Sequence, residues 1–512
     1  MSRDKIVFLF VLFTSSLLIP TGFSSIVHAK AGELVVAEGV EIGQLDPHRA
    51  RSMQDLSFGN AVFDALFRRQ EGGEISPGLA LSYKLIDDKT WTFKLRKGVR
   101  FHNGDFFTAR DVKFSFDRML NPATNNPFLS LYLTIDKTTI VDDETVTVTT
   151  KKPDPLLLKR LCLTAWIIPS SYIEKQGIEE FLKNPIGTGP FKFVKWVKND
   201  NLTLEAYKDY WEGSPKLNRV IIKSIPEASS RMAALETGMA DIVTNIPPFM
   251  IPQLRNRSDI KIESVLSGRI MLVNLNTRED GQAALKNQKV RQALNYAIDK
   301  NLIIEKLLVG SAVDRATILT NYHFGFDPNV KPYLFDPAKA KKLLAEAGYP
   351  DGFNLDFVTP TGRYPMDKEV SEAICGMLNK VGIKTDLRVM EFGNYVKAFL
   401  SREFKGAYLV GWGNMLDDAD GTYSNWWIGE APLYIYKTPI AGQVDKMIKE
   451  AVTEMNKEKR KKIYSEIQKL TLEDAPMIFL YQLKDNYGAR DRVRGFKARD
   501  DERIDYYRIS VE

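Results

Sequence analysis

The sequence predicts an α/β protein with more than one domain, and two observations carry this prediction. Short strand patterns alternate with short helix patterns through the first 190 residues, whereas longer helices follow a strand pattern at residues 271–276. The length of 512 residues, with 44% hydrophobic and 27% charged residues, fits a folded chain of about three domains. This composition excludes a disordered chain, a collagen, a coiled coil and a protein with many membrane spans.

The first half of the chain alternates between strand and helix patterns. Apolar residues at every second position indicate strands, and apolar residues three and four positions apart indicate helices. Two prolines and two glycines within residues 184–190 predict a joint between structural units. Strands are predicted at residues 33–37, 91–95 and 139–149, and helices at residues 56–67 and after Thr108.

The second half of the chain contains longer helical patterns. Asp336 and Pro337 have the order of an N-cap and a first-turn proline, and Gly348 is placed to end the same helix. No repeat of about 20–50 residues occurs, which excludes solenoids and propellers. Strands are predicted at residues 202–206, 219–225 and 271–276, and helices at 229–237, 290–298 and twice within 447–470.

The N-terminus has the pattern of a secretory signal peptide. Arg3 and Lys5 precede an apolar run of about 14 residues, which is too short to cross a bilayer as a stable helix. We expect residues 1–29 to be removed by cleavage near Ala29 and the mature chain to be exported. Because the first cysteine is Cys162, we do not expect a lipoprotein anchored through an N-terminal cysteine.

The chain lacks the motifs of common enzyme and nucleic-acid-binding classes. Its four histidines and two cysteines do not occur at metal-ligand spacing, and no nucleophile elbow or phosphate-binding loop is present. The basic run at residues 457–462 indicates a solvated helix face. We therefore expect no catalytic residue, metal, cofactor or nucleic acid. A secreted hydrolase is the alternative from another class, since glycosidases need only two carboxylates. Whether Cys162 and Cys375 form a disulfide stays open.

An ordered series of motifs runs from residue 33 to the C-terminus. It consists of Leu45–His48, Trp91–Gly104, Thr108–Val112, Asn184–Phe191, Val290–Leu294 with Ala297–Asp299, and Asp336–Gly348. This series resembles the family 5 solute-binding proteins of bacterial ABC importers, the dipeptide- and oligopeptide-binding type. The resemblance covers essentially the whole predicted mature chain.

The resemblance implies a two-lobed α/β periplasmic binding protein of the Venus flytrap type (cluster C), with an extra domain inserted in the first lobe. Ligand is expected between the lobes, which close around it. The lobes are expected to move as rigid bodies about two segments, the predicted hinge at Gly187, Thr188 and Gly189 and the strand near Ser267–Met271. The implied units are lobe I at residues 30–75, 187–268 and 484–512, the inserted domain at residues 76–186, and lobe II at residues 269–483.

The resemblance also implies a role in transport. We expect a monomeric periplasmic receptor that captures di- and oligopeptides and delivers them to an ABC permease with its ATPase subunits. The alternative ligands are an oligosaccharide, an opine and glutathione. Nickel is not expected, because the predicted mature chain has only three scattered histidines, although a metal held by an organic chelator would escape this argument.

Candidate anchors for a peptide lie in lobe II. In peptide-binding members, an acidic residue near a Gly-Trp segment holds the α-ammonium group, and here that segment begins at Gly411 and Trp412. The dipeptide type has Asp where this chain has Met415, so Asp417 or Asp418 is predicted to substitute. The alternative is that acidic residues in this segment cap the following helix.

Other candidate ligand-binding residues occur in two further segments. Arg363 and Tyr364 form a predicted clamp for a carboxylate or carbonyl, because Arg binds such groups bidentately; the alternative is a surface loop held by a salt bridge. Asn274 and Asn276 share one face of a strand, where they are predicted either to meet ligand backbone or to satisfy loop amides. Trp412, Trp426 and Trp427 form a group of candidates for stacking on a sugar or a side chain, and packing is the alternative expected for at least two of the three.

Overall fold

A computed structural model describes residues 31–429 and 436–512. The predicted signal peptide and its cleavage site therefore lie outside the described residues. The strands are β1 (Glu33–Glu38), β2 (Phe67–Arg69), β3 (Ile75–Pro77), β4 (Ala80–Asp87), β5 (Thr90–Leu95), β6 (Ile135–Asp142), β7 (Thr145–Thr150), β8 (Phe191–Val197), β9 (Asn201–Ala206), β10 (Arg219–Ser224), β11 (Ile242–Val243), β12 (Ile260–Leu275), β13 (Ala312–Asp314), β14 (Asn354–Thr361), β15 (Lys384–Glu391), β16 (Ala407–Gly413), β17 (Met477–Arg490), β18 (Val493–Arg494) and β19 (Ser510–Val511).

The α-helices alternate with these strands. They are α1 (Met53–Val62), α2 (Ala109–Leu120), α3 (Leu129–Tyr132), α4 (Leu157–Leu161), α5 (Ser170–Gln176), α6 (Ile178–Lys183), α7 (Ala228–Thr237), α8 (Ile251–Arg255), α9 (Gln288–Tyr296), α10 (Lys300–Lys306), α11 (Pro337–Glu346), α12 (Asp367–Lys380), α13 (Phe392–Leu400), α14 (Asp420–Trp427), α15 (Ala441–Ala451) and α16 (Lys457–Asp474). Among the described residues, no helix is both long and apolar enough to cross a membrane.

A mixed sheet of eleven strands runs through both predicted lobes. Its order is β15-β14-β16-β12-β17-β11-β1-β10-β9-β8, with β13 paired to β17. Strand β1 pairs in parallel with β10 and β11, and β14 pairs in parallel with β15 and β16. The long central strands β12 and β17 are antiparallel and contribute to both halves of the sheet.

The chain crosses between the two halves of the sheet in β12 and β17. Their pairing is regular from Ile260 to Leu266, is interrupted, and resumes at Ile270 opposite Gln482. At the interruption, Gln482 Nε2 donates to the carbonyl of Ser267 at 2.6 Å. These two strands are therefore the segments that connect the two halves of the sheet.

The predicted hinge at Gly187–Gly189 lies elsewhere, within the first lobe. A Cβ on Gly187 would lie 1.9 Å from the carbonyl oxygen of Val62, and one on Gly189 would lie 2.6 Å from the Val62 carbonyl carbon. Thr188 is fully buried, and its hydroxyl donates to Asp64 at 3.1 Å. This segment is packed tightly against the end of α1, and these contacts do not support the prediction of a hinge here.

The described hydrophobic residues form several separate cores. One cluster surrounds the four-stranded antiparallel sheet β4-β5-β7-β6 of the inserted domain, and two others lie in lobe II. However, Trp166, Ile173 and Phe181 pack in the lobe I core, although their segment was assigned to the inserted domain. The exact domain limits stay a prediction.

Three elements differ from the sequence prediction. Residues 139–149 form parts of two strands, since Asp142 accepts a hydrogen bond from the Glu144 amide and closes a hairpin turn. The strand predicted at residues 271–276 is the end of the much longer β12. The helix predicted at residues 56–67 begins and ends earlier, as α1.

Candidate functional site

The predicted clamp lies in the loop after β14, and a single carboxylate holds that loop. Asp367 accepts hydrogen bonds from the backbone amides of Gly362, Arg363 and Tyr364 at 3.0–3.3 Å. Tyr364 is buried, whereas Arg363 is exposed. Asp367 therefore orients two neighbouring side chains in different directions.

Tyr364 joins the clamp loop to the Gly-Trp segment of β16. Its hydroxyl donates to the carbonyl of Gly411 at 3.3 Å. A Cβ on Gly411 would lie 2.6 Å from Cε1 of Tyr364, so this close approach requires glycine. Four of the predicted residues, Arg363, Tyr364, Gly411 and Trp412, are thus brought to one region.

Arg363 is a cation without an ion-pair partner among the described residues. Its guanidinium carbon lies 5.3 Å from the ring centre of Tyr364 and 5.6 Å from that of Phe392. Although part of the side chain is exposed, the protein around the guanidinium partly desolvates it, and this effect together with the nearby positive charge of Arg269 lowers the pKa of Arg363. An exposed but crowded guanidinium of this kind can bind a carboxylate bidentately.

Three charged residues near Arg363 were not predicted from the sequence. Arg269 forms an ion pair with Glu502 at 2.5 Å, and both side chains are mostly buried. Asp485 is buried, and its Oδ2 accepts no hydrogen bond from a described residue. Burial, reinforced by the negative charge of Glu502, raises the pKa of Asp485 well above its usual range. The positions lie far apart in sequence, and no local pattern connects them.

The Asp417 carboxylate, predicted to bind a ligand ammonium group, is already paired with an arginine. Its carboxylate pairs with Arg69, whose Nη2 lies 2.8 Å from Asp417 Oδ1. Arg69 also donates to Asp500 at 2.6 Å and to Asp501 at 2.9 Å. Arg69 is 7% exposed, so this cluster of one guanidinium and three carboxylates is nearly dry.

Asp418 is likewise already paired. It accepts two hydrogen bonds from Arg460 at 2.5 and 2.8 Å and is 1% exposed. Lys159 of the inserted domain lies 3.8 Å from Asp418 and donates to the carbonyl of Asp417 at 2.6 Å. These contacts do not support the prediction that Asp417 or Asp418 binds a ligand ammonium group; both carboxylates already hold guanidinium groups.

Asn274 and Asn276 lie in the interior of lobe II. Asn274 accepts a hydrogen bond from Tyr436 at 2.7 Å, and Asn276 donates to the carbonyl of Phe404 at 2.9 Å. Both are at most 2% exposed. Asn276 therefore satisfies backbone groups of loops, whereas the Nδ2 of Asn274 has no hydrogen-bond partner among the described residues; these buried positions do not support the predicted contact with ligand.

Trp412 is only partly buried and borders the clamp region. Its ring meets that of Trp426 edge to face at 5.1 Å, and its indole nitrogen has no partner among the described residues. Trp426 and Trp427 are fully packed in the lobe II core. Trp412 therefore follows Gly411 in β16 but packs toward Trp426, and Trp426 and Trp427 are structural.

The three described histidines are all engaged in packing. His102 accepts from the Gly187 amide at 3.2 Å, and its Nε2 lies 2.9 Å from the carbonyl of Gly189. No group of three potential metal ligands occurs in residues 31–429 and 436–512. Cys162 and Cys375 are free thiols in different hydrophobic cores, so they do not form a disulfide.

Known proteins share this architecture over most of the chain. Heme-binding protein A of Haemophilus influenzae is 32% identical over 489 residues, covering 88% of this chain and 87% of that protein. Glutathione-binding protein GsiB of Pectobacterium atrosepticum is 31% identical over 466 residues, covering 88% of each. The periplasmic binding protein DppA of Helicobacter pylori, in complex with the peptide STSA, has a TM-score of 0.78 at 27% identity and covers 94% of this chain and 98% of its own.

A family model agrees with these relatives. The model for bacterial extracellular solute-binding proteins, family 5 Middle, matches residues 74–432. The match includes the inserted domain, the crossing strand β12 and the clamp region around Arg363 and Gly411. The chain therefore belongs to the family 5 bacterial extracellular solute-binding proteins, the substrate-binding components of ABC importers.

Proposed function

We propose that this chain captures short peptides or peptide-like acids between its lobes and delivers them to an ABC permease. The observation that carries the proposal is Arg363, an exposed guanidinium beside Tyr364 and Gly411 that has no ion-pair partner among the described residues. A free peptide carboxylate matches the planar donor fork of such a group. The ligand of the DppA structure and the name of GsiB are in keeping with ligands of this chemistry.

An oligosaccharide is less well supported by the aromatic residues. A sugar-binding cleft needs exposed rings on which the flat faces of the sugar stack. Trp426 and Trp427 are at most 2% exposed, which leaves Trp412 as the one partly exposed tryptophan of this group. The proposal therefore favours a ligand held by charge.

Delivery also requires export of the chain. We propose that residues 1–29 direct secretion and are removed near Ala29, as expected of a periplasmic receptor. N-terminal sequencing of the protein purified from the periplasm should give a first residue at about position 30. Recovery of the intact N-terminus from the cytoplasm would contradict this part of the proposal.

A thermal-shift panel tests the ligand class. The mature chain is mixed with di- to pentapeptides, glutathione, opines and cello-oligosaccharides at matched concentrations. A ligand at about 100 times its Kd adds about 2.7 kcal/mol to the free energy of unfolding, which raises Tm by a few degrees. We expect peptides or glutathione to produce this shift.

Two variants connect the shift to the clamp. Arg363→Gln should abolish most of the shift, because the side-chain amide keeps much of the volume but loses the charge and the donor fork. Arg110→Gln is the matched control, since Arg110 is exposed on α2 and pairs only with exposed Glu174. Stabilisation by sugars alone, or unchanged peptide binding in Arg363→Gln, would contradict the proposal.

A further inference from the structure

A cavity of about 740 Å³ lies between the predicted inserted domain and the predicted lobe II. The hairpin of β2 and β3 and the strands β4 and β5 contribute to one wall, and two segments of lobe II contribute to the other. The clamp residues Arg363, Tyr364 and Gly411 are not among its lining residues. Small-molecule sites in proteins have volumes of about 300–1,000 Å³, so this cavity has the size of a ligand site.

Three aromatic rings form the wall on the side of the inserted domain. The ring centre of Tyr83 lies 5.6 Å from that of Trp91 and 5.8 Å from that of Phe67. Tyr83 is paired with the fully buried Phe93 across β4 and β5, so both point to the same face of the sheet. Helix α2 packs against β6 and β7, whereas Tyr83, at the β4 end, stays 50% exposed. This end of the sheet therefore offers an aromatic surface to a ligand.

The opposite wall, in lobe II, also offers apolar contacts. Phe324 and Met455 are only partly buried there, and Met455 packs against the hydrophobic core of the inserted domain. The guanidinium carbon of Arg460 lies 4.9 Å from the ring centre of Phe324. A flat molecule in the cavity would thus have aromatic rings on one side and Phe324 and Met455 on the other.

The charged side chains of the cavity balance one another. The lining includes three basic and three acidic residues, which are Lys159, Lys457, Arg460, Glu74, Asp418 and Glu454. Arg460 binds Asp418 through two hydrogen bonds, and Lys159 lies 3.8 Å from the same carboxylate. Glu454 pairs with Lys459 at 2.6 Å, and Lys459 in turn lies 3.7 Å from Glu450. The cavity therefore favours neither a cation nor an anion.

One polar atom of the aromatic wall lacks a partner. Trp91 is 5% exposed, and its indole Nε1 makes no hydrogen bond with a described residue. A buried indole N–H usually donates to an acceptor. A ligand with an acceptor atom at the edge of its ring would supply one.

We propose that this cavity is a second binding site, which takes an uncharged, flat aromatic molecule with a hydrogen-bond acceptor in its ring. Tyr83 and Trp91 pack against the rings of the ligand, and the indole N–H donates to the acceptor. Phe324 and Met455 contact the ligand from lobe II. A ligand that touches both walls stabilises the contact between the inserted domain and lobe II. This site goes beyond the proposed capture of peptides and does not depend on it.

Four bicyclic probes test the ligand class by equilibrium dialysis against the mature chain at pH 8. Quinoline and naphthalene have the same shape and no charge, but only quinoline carries an acceptor nitrogen. N-methylquinolinium and 2-naphthoate add a positive and a negative charge. We expect both neutral probes to bind, and each charged probe to bind about fivefold or more weakly than quinoline, because the walls supply no counter-ion for the hydration that it loses.

Variants of the aromatic wall locate the probes. Trp91→Phe should weaken quinoline about three- to tenfold and change naphthalene less than about twofold, because only quinoline loses a hydrogen bond. Tyr83→Ala, at an exposed position where folding should be unaffected, should weaken both probes about fivefold or more. Phe106→Ala is the matched control, since Phe106 is 56% exposed on the same domain and does not line the cavity.

Methyl NMR of the methionines tests the wall in lobe II. The signal that Met455→Leu removes should shift in the wild type when quinoline is added, because the ring current of a bound aromatic molecule acts on neighbouring methyl groups. Arg363→Gln should bind quinoline as tightly as the wild type. The inference would be overturned if neither neutral probe bound, if Tyr83→Ala and Phe106→Ala behaved alike, or if Arg363→Gln lost quinoline binding. None of these outcomes depends on peptide binding, so the proposed function is tested separately.

Discussion

At the scale of single residues, His48 shows how packing fixes a protonation state. Its Nε2 lies 2.9 Å from the carbonyl of Trp166, and Arg118 donates to its Nδ1 at 3.0 Å. The ring is therefore neutral and donates through Nε2. Burial, together with the charge of Arg118, lowers the pKa of His48 to about 4 from 6.5.

The pH dependence of stability follows from that shift. The unfolded chain binds a proton at His48 below pH 6.5, but the folded chain binds it only near pH 4. The stabilisation that the folded chain gains from a neutral His48 is therefore complete above pH 6.5 and is lost as the pH falls to 4. Between pH 7 and pH 4.5, wild type should lose about 2.5 kcal/mol more of its unfolding free energy than His48→Gln. Urea unfolding at both pH values measures the difference, and parallel pH profiles would contradict it.

The candidate site could be predicted only where local sequence determines it. Arg363 and Tyr364 are neighbours in one loop. That loop packs on Gly411, where there is no room for a side chain, and the Tyr364 hydroxyl donates to the Gly411 carbonyl. By contrast, Asp417 and Asp418 look free in the sequence, since their partners Arg69 and Arg460 lie 348 and 42 residues away. Ion pairs over such separations leave no trace in spacing or composition.

At the scale of elements, strong local signals gave correct predictions. Thr108 caps α2 in a capping box with Asp111, and Asp336 caps α11 ahead of Pro337. The hairpin of β6 and β7 was missed because its two-residue turn has no glycine or proline. The full length of β12 was missed because its first half, at the lobe I end, is mostly partly exposed and lacks a continuous apolar run.

The segment at Gly187 provides a test at the element scale. In Gly187→Ala the new Cβ would overlap the Val62 carbonyl, so the backbone of α1 or of the segment must shift. We expect a loss of about 3 kcal/mol or more in the free energy of unfolding, in the range of severe steric substitutions. Ligand affinity of the folded fraction should stay close to that of the wild type, because the segment packs within lobe I.

Gly442→Ala is the matched control for that substitution. Gly442 lies in α15, and a Cβ added there would meet no described atom within 4 Å beyond its own turn of the helix. Alanine there should stabilise the protein by about 0.5–1 kcal/mol through helix propensity. If Gly187→Ala behaved like Gly442→Ala, or if it changed ligand affinity without changing stability, the packing role of this segment would be wrong.

At the scale of the whole molecule, ion pairs connect the predicted lobes and the predicted inserted domain. In the predicted division of the chain, Arg69, Asp500 and Asp501 fall in lobe I and Asp417 falls in lobe II, and Arg69 pairs with all three carboxylates. Lys159 and Arg160 bring the inserted domain into contact with Asp418 and Asp420. Interactions made only when the lobes are together stabilise the closed arrangement and add to the apparent affinity for a ligand that requires closure.

Asp417→Asn tests this coupling and still leaves the buried Arg69 guanidinium with carboxylate partners. Arg69 keeps Asp500 and Asp501 as partners, so the loss should fall mainly on the contact between the lobes. A hydrogen bond to a charged group contributes about 1.5–3 kcal/mol, so ligand affinity should fall about tenfold or more. For Asp417→Asn, small-angle scattering should give a larger radius of gyration than for wild type at the same subsaturating ligand concentration, and the same radius at saturation.

Asp117→Asn is the matched control. It removes one exposed partner of Lys113 and should change neither ligand affinity nor the radius of gyration. If the two variants bound ligand equally, closure would not depend on the ion pair between Arg69 and Asp417.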